Sequence, residues 1–129
     1  MVEKYSALPM DRLRVVSRFE DVRLPEIRRG VVFVFARWSG PAVVALQRFT
    51  KVMQALDTHL LDLVVLDIDG LTNETEAQLF GTDGFPAGGN GETIWLREGI
   101  IVAREIAAPD NSEHLLREHT RRLLDENAA

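Results

Sequence analysis

The chain has 129 residues, no cysteine and a formal net charge of −5 at pH 7. This length suits one domain, and a content of 46% hydrophobic and 27% charged residues is ordinary for a globular protein. The lack of cysteine excludes disulfides, thiolate metal sites and cysteine nucleophiles. The net negative charge argues against binding of nucleic acid, because no broad basic field would attract phosphate.

The start of the chain lacks the long apolar run of a signal peptide. No stretch of the sequence approaches the roughly 20 consecutive apolar residues that span a bilayer. We therefore expect no membrane association and a cytoplasmic location.

The first predicted elements are a lead-in and two strands. Residues 1–12 are mixed in character and contain Pro9, which predicts a flexible lead-in to a single domain over residues 13–126. Leu13 to Ser17 is a candidate first strand. Residues 31–35 form an unbroken run of β-branched and aromatic side chains, which is typical of a strand covered on both faces.

A long helix is predicted from about Pro41 to Leu60. Ser39 is a suitable N-cap, and proline is favoured in the first turn of a helix because its missing N–H costs nothing there. The apolar positions follow the spacing of one buried stripe; they are Val44, Leu46, Phe49, Val52, Met53, Leu56 and Leu60.

The second half of the chain supplies the remaining elements. A buried strand, a short helix, a glycine-rich loop, a hairpin turning at Gly99 and a final helix are predicted, in that order, over residues 63–69, 73–80, 81–91, 93–106 and 111–124. The strand–helix–strand sequence predicts a right-handed unit with parallel strands.

This element order and three local motifs resemble the thioredoxin family. The segment from Phe35 to Ala42 resembles the family's small-x-Trp-Cys-Gly-Pro-Cys site, Phe85-Pro86 resembles its cis-proline loop, and Glu98-Gly99 resembles its last β-turn. The resemblance covers about residues 13–125. It implies an α/β thioredoxin-like fold, with a central mixed sheet of four to five strands flanked by helices.

The resemblance also implies that the redox site has been lost. Ser39 stands where the family has its attacking cysteine, and Ala42 where it has its resolving cysteine. The family usually keeps a buried acidic residue at the position of Phe33 and often a lysine at the position of Val65. Since a buried charge is costly, its replacement by apolar side chains indicates a site that no longer performs redox chemistry.

The glycine-rich segment from Ala87 to Glu92 is a further departure from the family pattern. In the family a strand follows the cis-proline almost at once, whereas 12 residues lie here between Pro86 and Gly99. This segment would lie beside the former active-site surface. A phosphate-binding loop is disfavoured, because neither a helix nor the Lys-Ser/Thr of a P-loop follows the glycines.

Other candidate chemical groups have simpler structural interpretations. A nucleophilic Ser39 would need a base, and no histidine is near it in sequence, so a helix cap is favoured. His114 and His119 are five residues apart, which does not place them on one helix face. His59 is expected to interact with the carbonyls at the end of the long helix. Asp67 and Asp69 could form a carboxylate pair, although a solvated strand end is favoured.

These observations lead to three functional hypotheses. The first is a non-catalytic module that binds a protein partner, similar to redox-inactive domains of disulfide isomerases and to cysteine-free chaperones of the hydrogenase-maturation type. The second is an anionic-ligand binder or enzyme that uses the helix N-terminus at Ser39. The third is an acidic inhibitor or immunity protein for a basic partner.

The first hypothesis predicts a binding surface on the former active site and no catalytic residue, metal or cofactor. Trp38 is either an exposed binding anchor or a structural side chain that packs over the loop. The predicted surface consists of Trp38, Ser39, Gly40, Pro41, Ala42, Phe85 and Pro86.

Overall fold

A five-stranded mixed sheet forms the centre of the protein in a computed structural model, which describes residues 2–80, 91–105 and 112–125. The strands are β1 (Arg14–Val16), β2 (Arg29–Phe35), β3 (Asp62–Asp67), β4 (Thr93–Arg97) and β5 (Ile100–Glu105), and the helices are α1 (Gly40–Ala55), α2 (Asn73–Phe80) and α3 (Ser112–Leu124).

The strand order across the sheet is β1-β3-β2-β4-β5. Strands β1, β3 and β2 are parallel, while β4 is antiparallel to β2 and β5 is antiparallel to β4. This arrangement confirms the predicted thioredoxin-like fold, including the first strand and the hairpin.

Strand β2 is covered on both faces, as its unbroken apolar run predicted. Val31, Phe33 and Phe35 belong to the core cluster that contains side chains of α1 and α3. Val32 and Val34 belong to the opposite cluster, which includes Leu79 of α2 and the segment between β1 and β2. Successive side chains of a strand point to opposite faces, so one short run contributes to both cores.

Residues 2–12, the expected lead-in to the domain, form two short 3-10 turns that pack on the core. Val2 and Leu8 are each 7% exposed and lie in the core cluster beside α1. The Ala7 N–H donates to Thr50 Oγ1 at 3.0 Å, and a guanidinium nitrogen of Arg12 donates to the Thr58 carbonyl at 2.9 Å. These contacts join the segment to α1 and to the turn that follows it.

Helix α1 ends at Ala55, so the prediction of a helix to Leu60 was wrong by about one turn. The buried Thr58 ends it, because its hydroxyl donates to the Met53 carbonyl at 2.9 Å. His59 also differs from expectation, since its ring Nδ1 contacts the Asp57 carboxylate. That hydrogen bond lowers the pKa of the Asp57 carboxyl.

The predicted buried stripe of α1 is correct in its centre and wrong at its ends. Leu46, Phe49, Val52 and Met53 are buried. Val44 is 51% exposed, and Leu60, beyond the end of the helix, is 67% exposed. The apolar periodicity of the sequence continues beyond both ends of the helix face that contacts the sheet, so it predicted too long a buried stripe.

Strand β3 also ends earlier than predicted. It stops at Asp67, and residues 68–70 form a 3-10 turn. Asp67 Oδ1 accepts a hydrogen bond from the Asp69 N–H at 2.9 Å, so Asp67 caps this turn instead of forming a carboxylate pair with Asp69.

The β4–β5 hairpin turns through Glu98 and Gly99, whose φ angles are 52° and 75°. Two consecutive positive φ angles match the twist of the flanking strands. The Glu98 and Gly99 N–H groups donate to the Arg28 and Ile27 carbonyls, at 2.7 and 2.8 Å, which joins the turn to the chain before β2. No helix in the described part of the chain has both the length and the apolar character needed to span a membrane.

We expect Thr58→Val to lower the free energy of unfolding by about 1–3 kcal/mol, because it leaves a buried carbonyl at the end of α1 without its hydroxyl donor. Urea denaturation measures the change. Leu60→Ala, at an exposed position two residues away, is the control and should change stability by less than about 0.5 kcal/mol. Equal losses in both variants would contradict the assigned role of Thr58.

Candidate functional site

The candidate site is the junction where β2 ends and α1 begins. After Phe35 the chain passes through the buried Ala36 and then through Arg37 and Trp38, which are exposed. Trp38 is the largest of these side chains, and 66% of its surface is exposed. The structure therefore places an aromatic side chain in solvent directly before the helix.

Ser39 is the N-cap of α1, as the sequence predicted. Its backbone is extended, with φ −107° and ψ 119°, and its hydroxyl accepts a hydrogen bond from the Ala42 N–H at 3.3 Å. Its carbonyl accepts from the Val43 N–H at 3.1 Å. Pro41 lies in the first turn, where no N–H is needed. Because Ser39 is bonded to one of the N–H groups at the helix N-terminus, that group is not directed at an anion.

A tightly packed apolar layer lies beneath this junction. Ala42 is fully buried and Ala45 is 3% exposed. The rings of Phe33 and Phe49 stack with centroids 5.1 Å apart, and Phe33 pairs in register with Val65 on β3. Phe33 and Val65 stand at the two positions where the family keeps an acid and a lysine. Both side chains belong to the same core, and each is 1% exposed.

Gly91 completes this layer from the other side, and the sequence analysis had not selected it as a site residue. Its φ angle is 82°, and a Cβ added to it would lie 2.5 Å from the Ala45 Cβ and 3.0 Å from Phe33 Cζ. The Gly91 carbonyl accepts a hydrogen bond from Thr93 Oγ1 at 2.9 Å. Glycine is needed here because its backbone packs directly against α1 and leaves no space for a side chain. The glycine-rich sequence of this segment did not indicate which of its glycines has this role.

Glu92 is a second residue that the sequence analysis did not select. It is 1% exposed, and its backbone carbonyl accepts a hydrogen bond from the Val34 N–H at 2.9 Å. The backbone hydrogen bonding between β2 and β4 thus begins one residue before β4, at Glu92. Glu92 is a buried acidic residue, whereas the position at which the family usually has one is occupied by Phe33.

The three histidines lie beside carboxylates. His59 contacts Asp57, the ring of His114 lies 3.7 Å from Glu118, and that of His119 lies 2.9 Å from Glu105. The rings of His114 and His119 thus have separate partners. Within residues 2–80, 91–105 and 112–125, no group of three or more histidine and acidic side chains could hold a metal ion.

The structure brings five of the seven predicted surface residues together, in the continuous segment from Trp38 to Ala42. Of these, Trp38, Gly40 and Pro41 are exposed, while Ser39 and Ala42 are buried. Phe85 and Pro86 lie outside the described residues, so their place on this surface, and the isomer of Pro86, stay predictions.

Two glycines near the site provide a matched test of this packing. We expect Gly91→Ala to lower the free energy of unfolding by about 2–4 kcal/mol, through overpacking against Ala45 and a strained positive φ. A Cβ at Gly40 would meet nothing within 4 Å. Gly40→Ala should therefore change stability by less than about 0.5 kcal/mol. Urea denaturation of both variants gives the comparison, and a Gly40 effect as large as that of Gly91 would contradict it.

Comparison with known proteins gives similarity in structure alone. No protein-family model and no curated protein sequence matches the chain. Among solved structures, a mutant thioredoxin from Halobacterium salinarum has a TM-score of 0.63 and 16% identity, over 93% of this chain and 97% of that one. Fasciola hepatica thioredoxin has a TM-score of 0.61 and 22% identity, over 84% of this chain and 97% of that one.

The oxidised thioredoxin of Plasmodium falciparum is a third such neighbour, with a TM-score of 0.60 and 19% identity, over 84% of this chain and 97% of that one. At these identities the similarity shows the fold. The chain therefore has a thioredoxin-like fold and contains no cysteine.

Proposed function

We propose that this protein is a redox-inactive, thioredoxin-like module that binds a protein partner through the surface at the start of α1. The observation that carries the proposal is the exposure of Trp38, 66% of whose surface is in solvent. It stands beside a helix start at which the positions of the two family cysteines are occupied by Ser39 and Ala42.

The packing beneath the surface supports a function other than electron transfer. A serine hydroxyl is a far weaker acid than a thiol, so the helix N-terminus cannot ionise it at neutral pH as it does a cysteine. Ala42 has no reactive group. Phe33 and Val65 fill the layer below with apolar atoms, which leaves no ionisable side chain at either position.

The exposed side chains that follow the exposed Arg37 at the junction form an apolar surface suited to a protein partner. Pro41 and Val44 are three residues apart on α1, so they are neighbours on one face of the helix, and Val44 is 51% exposed. Trp38 precedes them at the helix start. Exposed aromatic and apolar side chains on a rigid element are typical of interface anchors, because they lose little conformational entropy on binding.

A chaperone of the cysteine-free type is the specific role that we favour for this module. Such a protein needs an apolar docking surface and no reactive thiol, and the exposed Trp38 and Val44 and the lack of cysteine support this role. In this proposal Phe85 and Pro86, from the sequence segment before β4, extend the same surface.

Photo-crosslinking tests whether the surface at Trp38 is the binding surface. We expect p-benzoylphenylalanine in place of Trp38 to crosslink to a defined protein partner in cells. The same probe in place of Ile100, which is 67% exposed on the edge strand β5, should not. Mass spectrometry of the crosslinked species identifies the partner.

The partner found in this way should bind wild-type protein and the Ile100→Ala variant equally. It should be lost from Trp38→Ala and from the Trp38→Ala, Phe85→Ala double variant, because an anchor residue contributes about 2 kcal/mol or more to binding. Equal recovery of the partner by all four proteins would refute this use of the surface.

We also expect no catalysis of insulin reduction by the wild-type protein with dithiothreitol as reductant, because it has no thiol to form a mixed disulfide. The double variant Ser39→Cys, Ala42→Cys is the positive control. Its first thiol lies at a helix N-terminus, where the pKa of cysteine is lowered, so turnover above background is expected. Turnover by the wild-type protein would overturn the assignment as redox-inactive.

A further inference from the structure

Positive charge is concentrated in the part of the chain that builds the Trp38 surface, by which we mean Trp38, Pro41 and Val44. Residues 27–56, which include β2, the junction and α1, contain five of the fifteen lysine and arginine residues and none of the twenty aspartate and glutamate residues. The chain as a whole has a net charge of −5, so its acidic residues all belong to other segments. The strand and helix that carry the Trp38 surface therefore contribute positive charge alone.

The exposed side of α1 changes from apolar to basic along the helix. Four side chains follow one another at intervals of three, four and three residues, which places them in one stripe; they are Pro41, Val44, Arg48 and Lys51. Val44 and Lys51 are exposed, and Arg48 is half-buried. At a rise of about 1.5 Å per residue the stripe is about 15 Å long. The apolar surface thus continues directly into a basic one.

Arg37 supplies a further cation, on the other side of Trp38. Its side chain is exposed and makes no hydrogen bond or ion pair within the described part of the chain. Glu3 and Asp67 line the same cavity as Arg37 without pairing with it. A hydrogen bond to the N-terminal amine lowers the pKa of Glu3, and Asp67 accepts a hydrogen bond from the Asp69 N–H. The guanidinium of Arg37 is therefore available to a partner.

Glu113 of α3 balances only part of the positive charge on α1. A hydrogen bond from Arg117, at 2.9 Å, lowers the pKa of the Glu113 carboxyl, and the charges of Arg48 and Lys51 lower it further. One carboxylate thus faces three cations, and its direct partner is Arg117.

We propose that the partner bound at the Trp38 surface presents apolar side chains next to acidic ones. This inference rests on the function proposed above and specifies the chemistry of the partner. The apolar side chains contact Trp38, Pro41 and Val44, and their burial supplies most of the affinity. The carboxylates meet Arg37 and Lys51, which fixes the orientation of the partner on the surface.

Charge complementarity at short range selects this partner over a basic one. Exposed charges more than about 8–10 Å apart are largely screened at physiological salt, so the cations at the surface outweigh the acidic residues elsewhere in the chain. A basic partner would place like charges beside Arg37 and Lys51, which opposes binding.

The experiment uses the full chain and a labelled peptide in which a block of leucine and alanine is followed by a block of glutamate. We expect fluorescence anisotropy to show saturable binding of this glutamate peptide. Matched peptides with lysine in place of glutamate, or serine in place of leucine, should bind at least about tenfold more weakly. In ¹⁵N-labelled protein, the glutamate peptide should shift amide signals of residues 37–51.

Charge-reversal variants locate the binding. Arg37→Glu and Lys51→Glu should each weaken binding of the glutamate peptide about fivefold or more, and either variant tests the inference if the other does not fold. Arg121→Glu makes the same change in net charge at an exposed position near the end of α3, and it should bind the peptide nearly as wild type does.

The same variants separate this inference from the function on which it rests. They are tested against the partner that photo-crosslinking identifies. Loss of that partner from Trp38→Ala, but not from Arg37→Glu or Lys51→Glu, would leave the binding surface intact and overturn the inference about its acidic partner. Retention of the partner by Trp38→Ala would refute the surface itself.

Three results with the peptides would also overturn the inference. They are the absence of saturable binding of the glutamate peptide, equal weakening by Arg121→Glu, and tighter binding of the lysine peptide. Single-stranded nucleic acid is the competing occupant of a basic surface with an exposed aromatic side chain. Binding of a labelled thymidine oligonucleotide that is tighter than that of the glutamate peptide, and is lost in Trp38→Ala, would assign the surface to nucleic acid instead.

Discussion

The burial of both faces of β2 is the constraint on which the rest of the structure depends. The strand pairs with β3 on one side and with β4 on the other, and its side chains alternate between two cores. Neither face can be exposed without loss of a core, which fixes the register of both neighbours. The chain therefore leaves β2 at a fixed point, and α1 must start beside the carboxyl end of β2.

That constraint explains how the start of α1 keeps its geometry without any thiol. The helix start is held by the Ser39 cap and by the packing of Ala42, Ala45 and Phe49 on β2. None of these contacts requires a thiol. The ring of Phe33 and the backbone of Gly91 complete the layer beneath the helix start, which is therefore a continuous part of the core with an exposed rim.

The same sheet presents two chemically different surfaces. The rim at Trp38 is apolar and lies at a helix start, whereas charged side chains of both signs lie beside the β1 edge, among them the ion pair of Arg14 with Asp62. The N-terminal segment borders this edge, because Val2 and Met10 line the same cavity as Val15. A segment that the sequence alone marked as a lead-in thus packs beside the edge of the sheet.

The sequence by itself determined the element order, the double-sided burial of β2, the Ser39 cap and the absence of thiol chemistry. Each of these depends on residue type and local spacing, which a single chain displays directly. The tertiary structure alone decided where α1 ends, because Thr58 and Arg12 meet only in the folded protein. It also decided that Gly91 must lack a side chain and that Val44 is exposed, since both depend on which atoms lie opposite them across the fold.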